Sequence, residues 1–285
     1  MQRRELQREL AAVVGADHEA RFIIDEVAGT AASGEIGADE TARARELAAR
    51  RVGGEPLQYV LGHWAFRALD LLVDPRVLIP RPETEQVVEV ALAQVRALMT
   101  RDAVVVDAGT GSGAIALALA TELAADGAHG EVFATDASGA ALQVARANLA
   151  RVSAVSAAIW PVTMLEGNWL EPLPEERRGR VSAVVSNPPY VAESEWADLD
   201  AEVHAEPRTA LLAAAGSDGT PGLADVEAVL VQSLPWLARP GVVVIELAPA
   251  QADAARSLAL ALGYAAVAVH QDLAGRPRTL VASAE

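Results

Sequence analysis

The segment Asn187-Pro188-Pro189-Tyr190 combines a side-chain amide, two rigid backbone positions and an aromatic ring. The amide of Asn187 offers one acceptor and two donors, which matches the amide or amidine edge of a substrate. The two prolines remove backbone donors and fix φ, so the turn is stiff. The ring of Tyr190 can cover a planar group. We therefore predict that these four residues form a catalytic and substrate-binding turn.

This turn directly follows the apolar run Val181 to Val185, which predicts a buried strand. Open α/β sheets bind their ligands at the carboxyl ends of parallel strands, which is where the turn would lie. An isolated Asn-Pro-Pro sequence would be interpreted as an ordinary proline turn. Two further motifs at predicted strand ends favour the functional interpretation.

The first of these motifs is a glycine-rich loop between a predicted strand and a predicted helix. Glycines let the backbone approach a ligand closely, and a helix start offers free N–H groups. Gly109, Gly111 and Ala114 satisfy the dinucleotide fingerprint in its alanine variant. Asp107 instead favours a ligand with a positive amine, such as the amino group of a methionine moiety. The predicted cofactor-binding residues of the loop are Asp107, Gly109, Thr110, Gly111, Ser112 and Gly113.

The second motif consists of polar and aromatic residues at the ends of the next two predicted strands. The spacing of Asp136 from the glycine loop suits a carboxylate that accepts two ribose hydroxyls, in either a dinucleotide or S-adenosylmethionine. The amide of Asn168 can bond an adenine edge, and the indole of Trp169 can pack on it. We therefore add these three residues to the predicted cofactor site.

The elements that must position these motifs alternate between strand and helix from about residue 102 onward. This alternation predicts an α/β, Rossmann-like sheet that is mostly parallel and covered on both faces. The predicted strands are Val104 to Val106, Glu131 to Thr135, Ile159 to Leu165, Val181 to Val185 and Gly241 to Leu247, with a closing antiparallel pair at Tyr264 to Val269 and Thr279 to Ala282. The predicted helices of this region are Ala114 to Ala124, Ala140 to Ala150, Leu223 to Leu237 and Ala250 to Leu262.

The first part of the chain has helical spacing of its apolar residues and predicts a small bundle. Asp17 and Asp39 are predicted to cap its second and third helices. After the bundle, Leu57 to Gly62 is predicted to pair with Leu69 to Val73 as a short hairpin. The predicted division is a helical N-terminal domain at 1–53, a connector at 54–82 and the α/β domain at 83–285.

Composition restricts the possible classes of function. The net charge is −16, with no cluster of Lys and Arg that would bind phosphate backbones. There are no cysteines, and the five histidines show no metal-ligand spacing, so we expect no metal site. No apolar run is long enough for a membrane helix. We expect a monomeric cytoplasmic protein that binds neither nucleic acid nor membranes.

The glycine loop, Asp136 and the Asn-Pro-Pro-Tyr turn together resemble the class I S-adenosylmethionine-dependent methyltransferases that act on planar nitrogens. The turn alone does not fix the substrate, because it also occurs in adenine DNA methyltransferases. Several further segments are similar to those of the HemK/PrmC family. These segments are Gly54 to Tyr59, Leu78 to Glu85, Glu206 to Pro207, Thr209 to Leu212 and Asp272 to Arg276.

The resemblance covers the chain from about residue 54 to its end. It implies that S-adenosylmethionine is the cofactor and that the substrate is the amide nitrogen of the glutamine in the Gly-Gly-Gln motif of bacterial peptide chain release factors. It also implies that Asn187 contacts the cofactor and that the N-terminal helices contact the protein substrate. Asn168 departs from the family, where Asp is expected in many relatives, so we expect a slightly altered cofactor affinity.

Three alternatives remain at this stage. An adenine-N6 methyltransferase of DNA or RNA would use the same turn, but it needs a positive groove that the acidic composition argues against. A nicotinamide dehydrogenase would leave the Asn-Pro-Pro-Tyr turn unexplained. A binding protein that retains a methyltransferase fold without activity has no need for an intact loop and turn.

Overall fold

A computed structural model of the chain describes residues 1–31, 34–98 and 102–285. Three helices open the chain: α1 (Arg3–Val14), α2 (Asp17–Ala28) and α3 (Ala38–Val52). Their apolar faces bury a small core that includes Leu6, Ile23 and Leu47. The helices are where the sequence predicts them, but the predicted caps are wrong. Asp17 is the first residue of α2 and Asp39 lies in the first turn of α3, so neither is the N-cap residue of its helix. At the start of α3 it is Glu40 that accepts the N–H of the N-cap residue Gly37.

The connector differs from its prediction. Its first apolar segment is a short helix, α4 (Leu57–Leu61), and the hairpin that follows pairs β1 (His63–Phe66) with β2 (Leu69–Leu72). The predicted strand at Leu57 to Gly62 is therefore wrong. Leu57 and Val60 are three residues apart, so one helical face places both in the core of the bundle. A short apolar run does not distinguish such a helix from a strand.

A seven-stranded sheet forms the centre of the rest of the chain, in the order β10-β11-β9-β6-β3-β4-β5. Its neighbouring strands pair in parallel except at β11, which is antiparallel to both β9 and β10. This confirms the predicted α/β class and the closing antiparallel pair. The strands are β3 (Asp102–Ala108), β4 (His129–Asp136), β5 (Val162–Glu166), β6 (Val181–Ser186), β9 (Leu237–Glu246), β10 (Ala266–Gln271) and β11 (Pro277–Ala284). Two short strands outside this sheet, β7 (Val191–Ala192) and β8 (Leu212–Ala213), pair in parallel.

Helices cover both faces of the sheet. The residues of β3 alternate between the two cores, with Val105 in one and Val104 and Val106 in the other. The predicted helix from Leu223 to Leu237 is too long, because the observed helix ends at Ser233 and the strand β9 begins at Leu237. The helices are α5 (Pro82–Leu98), α6 (Ala114–Ala125) and α7 (Gly139–Val155), which pack on the first core, and α8 (Ala224–Ser233) and α9 (Ala252–Leu262), which pack on the second. Within the described residues, no helix has the length and apolar character needed to cross a bilayer.

A fully buried asparagine on α7 joins the connector hairpin to the glycine loop. Asn148 Oδ1 accepts the N–H of Leu72 at 2.6 Å, and its Nδ2 donates to the carbonyl of the same residue at 3.0 Å. Nδ2 also donates to the carbonyl of Ser112 at 2.8 Å. One side chain therefore satisfies an edge of the hairpin and fixes its distance from the loop.

We expect Asn148→Ala to lower the free energy of unfolding by about 2–4 kcal/mol, because buried backbone groups on Leu72 and Ser112 lose their partner. Gln143→Ala is the matched control on the same helix, since its side chain is exposed, and it should change stability by less than about 0.5 kcal/mol. Urea unfolding measures both values. Equal effects of the two substitutions would contradict this role of Asn148.

Candidate active site

A cleft of about 470 Å³ opens at the carboxyl ends of β3, β4 and β6. This volume lies within the range of small-molecule sites, roughly 300–1,000 Å³. The predicted residues that line it are Gly109, Gly111, Asp136, Asn168, Trp169, Asn187 and Pro189. The other walls come from the connector, from the turn between β4 and α7 with the first turn of that helix, from the segment after β7 and from the start of α8. Their lining residues are, in that order, Arg76, Val77 and Leu78; Ala137, Ser138 and Ala141; Pro207, Thr209 and Ala210; and Asp225.

The glycine loop is fixed to the end of β4. The N–H groups of Gly109 and Thr110 both donate to the carbonyl of Thr135, at 2.9 and 2.8 Å. Gly109 has a φ of 79°, in the left-handed region that favours glycine. The loop thus presents bare backbone to the cleft and leads into α6 through Gly113.

Trp169 packs directly on this loop. A side chain at Gly109 would place its Cβ 3.1 Å from the Trp169 indole. Trp169 itself has a φ of 48°, which is unusual for a bulky residue and costs backbone energy. This backbone conformation places the flat indole ring of Trp169 against the glycine backbone at the wall of the cleft. A flat aromatic surface of this kind can pack on a planar heterocycle in the cleft.

Asp136 closes the same side of the cleft. Its Oδ1 accepts the N–H of Ser138 and its Oδ2 accepts the N–H of Gly111, both at 2.8 Å. Burial raises the pKa of this carboxyl, and the two backbone donors oppose that rise. Each carboxylate oxygen retains a further lone pair, so the group can accept two ribose hydroxyls while its orientation stays fixed.

Four residues of the predicted cofactor loop do not line the cleft: Asp107, Thr110, Ser112 and Gly113. Asp107 is fully buried beneath the loop, where its Oδ2 accepts the hydroxyl of Thr110 at 2.6 Å and the N–H of Ala116 at 2.9 Å. Its Oδ1 is buried without a hydrogen-bond partner. Burial raises the pKa of Asp107 to about 7. The contacts of Asp107 therefore hold the loop and the start of α6.

The Asn-Pro-Pro-Tyr turn leaves β6 on the opposite side of the cleft. Asn187 Nδ2 donates to Thr84 Oγ1 at 3.1 Å, and Thr84 Oγ1 donates to Glu246 Oε2 at 2.7 Å. The Tyr190 hydroxyl donates to the other oxygen of the same carboxylate, Glu246 Oε1, at 3.3 Å. Burial raises the pKa of the Tyr190 phenol, so it stays protonated at neutral pH. Pro188 is buried and Pro189 faces the cleft.

Sequence reasoning missed the residues that hold these walls in place. Glu206 is buried, and its Oε2 accepts the N–H of Ile79 at 2.9 Å, while Arg81 forms an ion pair with its other oxygen. The hydrogen bond between Ile79 and Glu206 joins the connector to the segment that carries Pro207. Thr84 and Glu246 likewise hold the Asn-Pro-Pro-Tyr turn in place through their hydrogen bonds with Asn187 and Tyr190. The resemblance drew attention to the segments of Glu206 and Thr84, but no local signal pairs them with their partners.

Across the described parts of the chain, no group of three or more His, Cys, Asp or Glu side chains could hold a metal ion. The residues that line the cleft carry amides, carboxylates, hydroxyls, a guanidinium and an indole beside the bare backbone of the glycine loop. They can orient a polar ligand and a substrate amide through hydrogen bonds.

The sheet order and the loop at its carboxyl edge define a class I methyltransferase fold. A methyltransferase from Pyrococcus furiosus has a TM-score of 0.51 and 17% identity over 77% of this chain and 90% of that chain. The T. thermophilus 16S rRNA N2 methyltransferase, solved in complex with AdoMet and guanosine, has a TM-score of 0.54 and 16% identity over 78% of this chain and 50% of that chain.

Sequence comparison is more specific. The Methyltransferase small domain model matches residues 89–213. The Release factor glutamine methyltransferase of Moorella thermoacetica is 40% identical over 82% of this chain and 76% of the relative, and that of Vibrio cholerae is 37% identical over 81% and 74%. The chain belongs to the release factor glutamine methyltransferase family, which confirms the resemblance seen in its motifs.

The raised pKa of Asp107 predicts a pH dependence of stability. The unfolded chain loses this proton near the ordinary Asp pKa of about 3.9, whereas the folded protein keeps it up to about pH 7. The resulting stability is fully present below about pH 4 and is lost as the pH rises to about 7. Asp107→Asn does not titrate, so its free energy of unfolding relative to wild type should increase between about pH 5 and 7.5. Urea unfolding at both pH values measures this, and a constant difference would contradict it.

Proposed function

We propose that this protein transfers a methyl group from S-adenosylmethionine to the side-chain amide nitrogen of the glutamine in the Gly-Gly-Gln motif of peptide chain release factors. The observation that carries the proposal is the position of Asn187. Its amide lies across one cleft from the glycine loop, Asp136 and Trp169. The curated relatives cited above are named for activity on release factor glutamine, which gives the substrate.

The cofactor assignment rests on the walls of the cleft. Asp136 offers free lone pairs to ribose hydroxyls, and Trp169 offers a ring held against Gly109. We assign the adenine edge to Asn168, which is exposed at the cleft and can accept from an amino group. The backbone from Gly109 to Gly113 borders the remaining part of the ligand, and Asp107 supports this backbone from below.

An amide nitrogen is a weak nucleophile because its lone pair is delocalised into the carbonyl. When bound, S-adenosylmethionine supplies a methyl group on an electrophilic sulfonium. The chain therefore has to orient the nitrogen, and alignment of bound reactants can lower a barrier by up to about 7–11 kcal/mol. Asn187 Oδ1 and the carbonyl of Pro188 accept the two amide hydrogens, which aims the nitrogen and stabilises developing positive charge. Tyr190 packs on the glutamine side chain, and one proton leaves to water.

We assign residues 1–53 to the docking of the protein substrate. Residues of α2, α3 and α4 line a separate cleft of about 370 Å³, and they include Glu26, Asp39 and Glu40. Arg51 on α3 pairs with Glu202, on the segment that leads to the active-site wall. The helical domain is thus linked to that wall by a direct contact. We further propose that the protein acts as a cytoplasmic monomer.

A nucleic-acid adenine methyltransferase is the alternative for the same turn. The net charge of −16 opposes a phosphate backbone, which is bound through clustered positive charge. Transfer of labelled methyl groups to release factor and to DNA or RNA, measured side by side, distinguishes the two. We expect label on release factor only, and none on a release factor whose Gly-Gly-Gln glutamine is replaced by alanine. Label on nucleic acid alone would overturn the proposal.

We expect Asn187→Ala to lower kcat by about 100- to 1,000-fold, because the amide nitrogen loses an acceptor that orients it in the transition state. Cofactor binding, measured by calorimetry, should remain within about threefold of wild type, since one contact among several is lost. Turnover close to wild type in this variant would remove Asn187 from the catalytic turn.

Asp136→Ala should instead weaken cofactor binding by about 10- to 100-fold, because two hydrogen bonds to a charged acceptor are lost. Asp218→Ala is the control, as this carboxylate is exposed and lies outside the cleft. Calorimetric titration with S-adenosylmethionine measures both dissociation constants. An unchanged constant for Asp136→Ala would disprove the ribose role.

A further inference from the structure

Three residues from distant parts of the chain form a continuous line of hydrogen bonds beside the cleft. Asn187 follows β6, Thr84 lies in the first turn of α5, and Glu246 ends β9. Thr84 is 4% exposed and Glu246 is 1% exposed, so solvent does not compete for their polar atoms. The two bonds measure 3.1 Å between Asn187 Nδ2 and Thr84 Oγ1 and 2.7 Å between Thr84 Oγ1 and Glu246 Oε2.

The chemistry of the carboxylate sets the direction of this line. An ionised carboxylate only accepts hydrogen bonds, and a threonine hydroxyl has a single proton to donate. Because Thr84 gives that proton to Glu246, its oxygen can only accept from Asn187. Asn187 must then turn its NH₂ group toward Thr84. Its Oδ1, the acceptor, is the end left for a ligand.

Hydrogen bonds and a nearby guanidinium stabilise the ionised form of Glu246 against the cost of its burial. Its second oxygen accepts the hydroxyl of Tyr190, so each oxygen of the carboxylate already accepts one hydrogen bond. Burial raises the pKa of Glu246, and the hydrogen bonds from Thr84 and Tyr190 and the nearby Arg278 guanidinium oppose that rise. Tyr190 and Thr84 together supply the two donors that a buried carboxylate requires.

We propose that Thr84 and Glu246 are positioning residues that fix the amide orientation of Asn187, so that the site presents an acceptor and selects substrates that donate an NH₂ group. The proposal deepens the proposed function and its kinetic part rests on it. A reversed amide would present its own NH₂ to the substrate nitrogen and repel the hydrogens that the site has to bind. Neither positioning residue lines the cleft or needs to touch the substrate.

Two substitutions at Thr84 separate polarity from packing. Thr84→Val keeps the shape but removes the oxygen, and we expect kcat to fall about 10- to 100-fold with cofactor affinity kept within about twofold, because the nucleophile loses its alignment. Thr84→Ser restores the hydroxyl and should recover kcat to within about threefold of wild type. Equal kcat values for the two variants would overturn the proposal.

A second pair of substitutions tests the carboxylate. Glu246→Gln can offer either end of its amide to Thr84, so the direction of the line is no longer fixed, and kcat should fall about 10-fold or more. Glu89→Gln makes the same chemical change at an exposed position on α5 and should leave kcat unchanged. A Glu246→Gln enzyme that matches this control would count against the role of Glu246.

Neutron diffraction from deuterated crystals of the wild-type protein reads the polarity without any assay. We expect the Thr84 deuteron to point to Glu246 and both amide deuterons of Asn187 to lie on the atom that faces Thr84. A deuteron on Thr84 that points to Asn187 would overturn the proposal, whatever the substrate is. Failure of the wild-type protein to methylate glutamine would overturn only the proposed function. The neutron result would still decide whether Thr84 and Glu246 fix the amide orientation of Asn187.

Discussion

The hydrogen bond from Asn187 to Thr84 is the constraint on which the site depends most. Asn187 and Thr84 lie 103 residues apart in sequence, and Thr84 is in turn bonded to Glu246, which is 162 residues from it. Together these two hydrogen bonds hold the end of β6, the start of α5 and the end of β9 in one arrangement. A side-chain amide is otherwise free to rotate, and a rotated amide exchanges its acceptor for a donor.

The opposite wall of the cleft follows the same design, in which buried polar side chains hold separate chain segments together. Asn148 links the hairpin to the glycine loop, and Glu206 links the connector to the wall at Pro207. Buried polar groups cost free energy unless they are fully bonded, so each of them specifies one arrangement of its neighbours. The connector thereby contributes directly to the walls of the cleft.

Local patterns in the sequence predict much of this site. Gly109, Asp136 and Asn187 each follow a predicted strand, and parallel strands end at one edge, so their meeting follows from topology. The partners of Thr84, Glu206 and Asn148 do not follow, because hydrogen bonds across 36 to 162 residues leave no local periodicity. The helix at Leu57–Leu61 was missed since its five residues are too few to show a period.

We propose that the acceptor end of Asn187 orients a glutamine amide nitrogen for methyl transfer. Tandem mass spectrometry of a release factor incubated with the protein and S-adenosylmethionine tests this most directly, because fragment masses locate the added methyl group. We expect a single methyl group on the side-chain nitrogen of the Gly-Gly-Gln glutamine. A methyl group on any other residue, or an unmodified release factor, would contradict it.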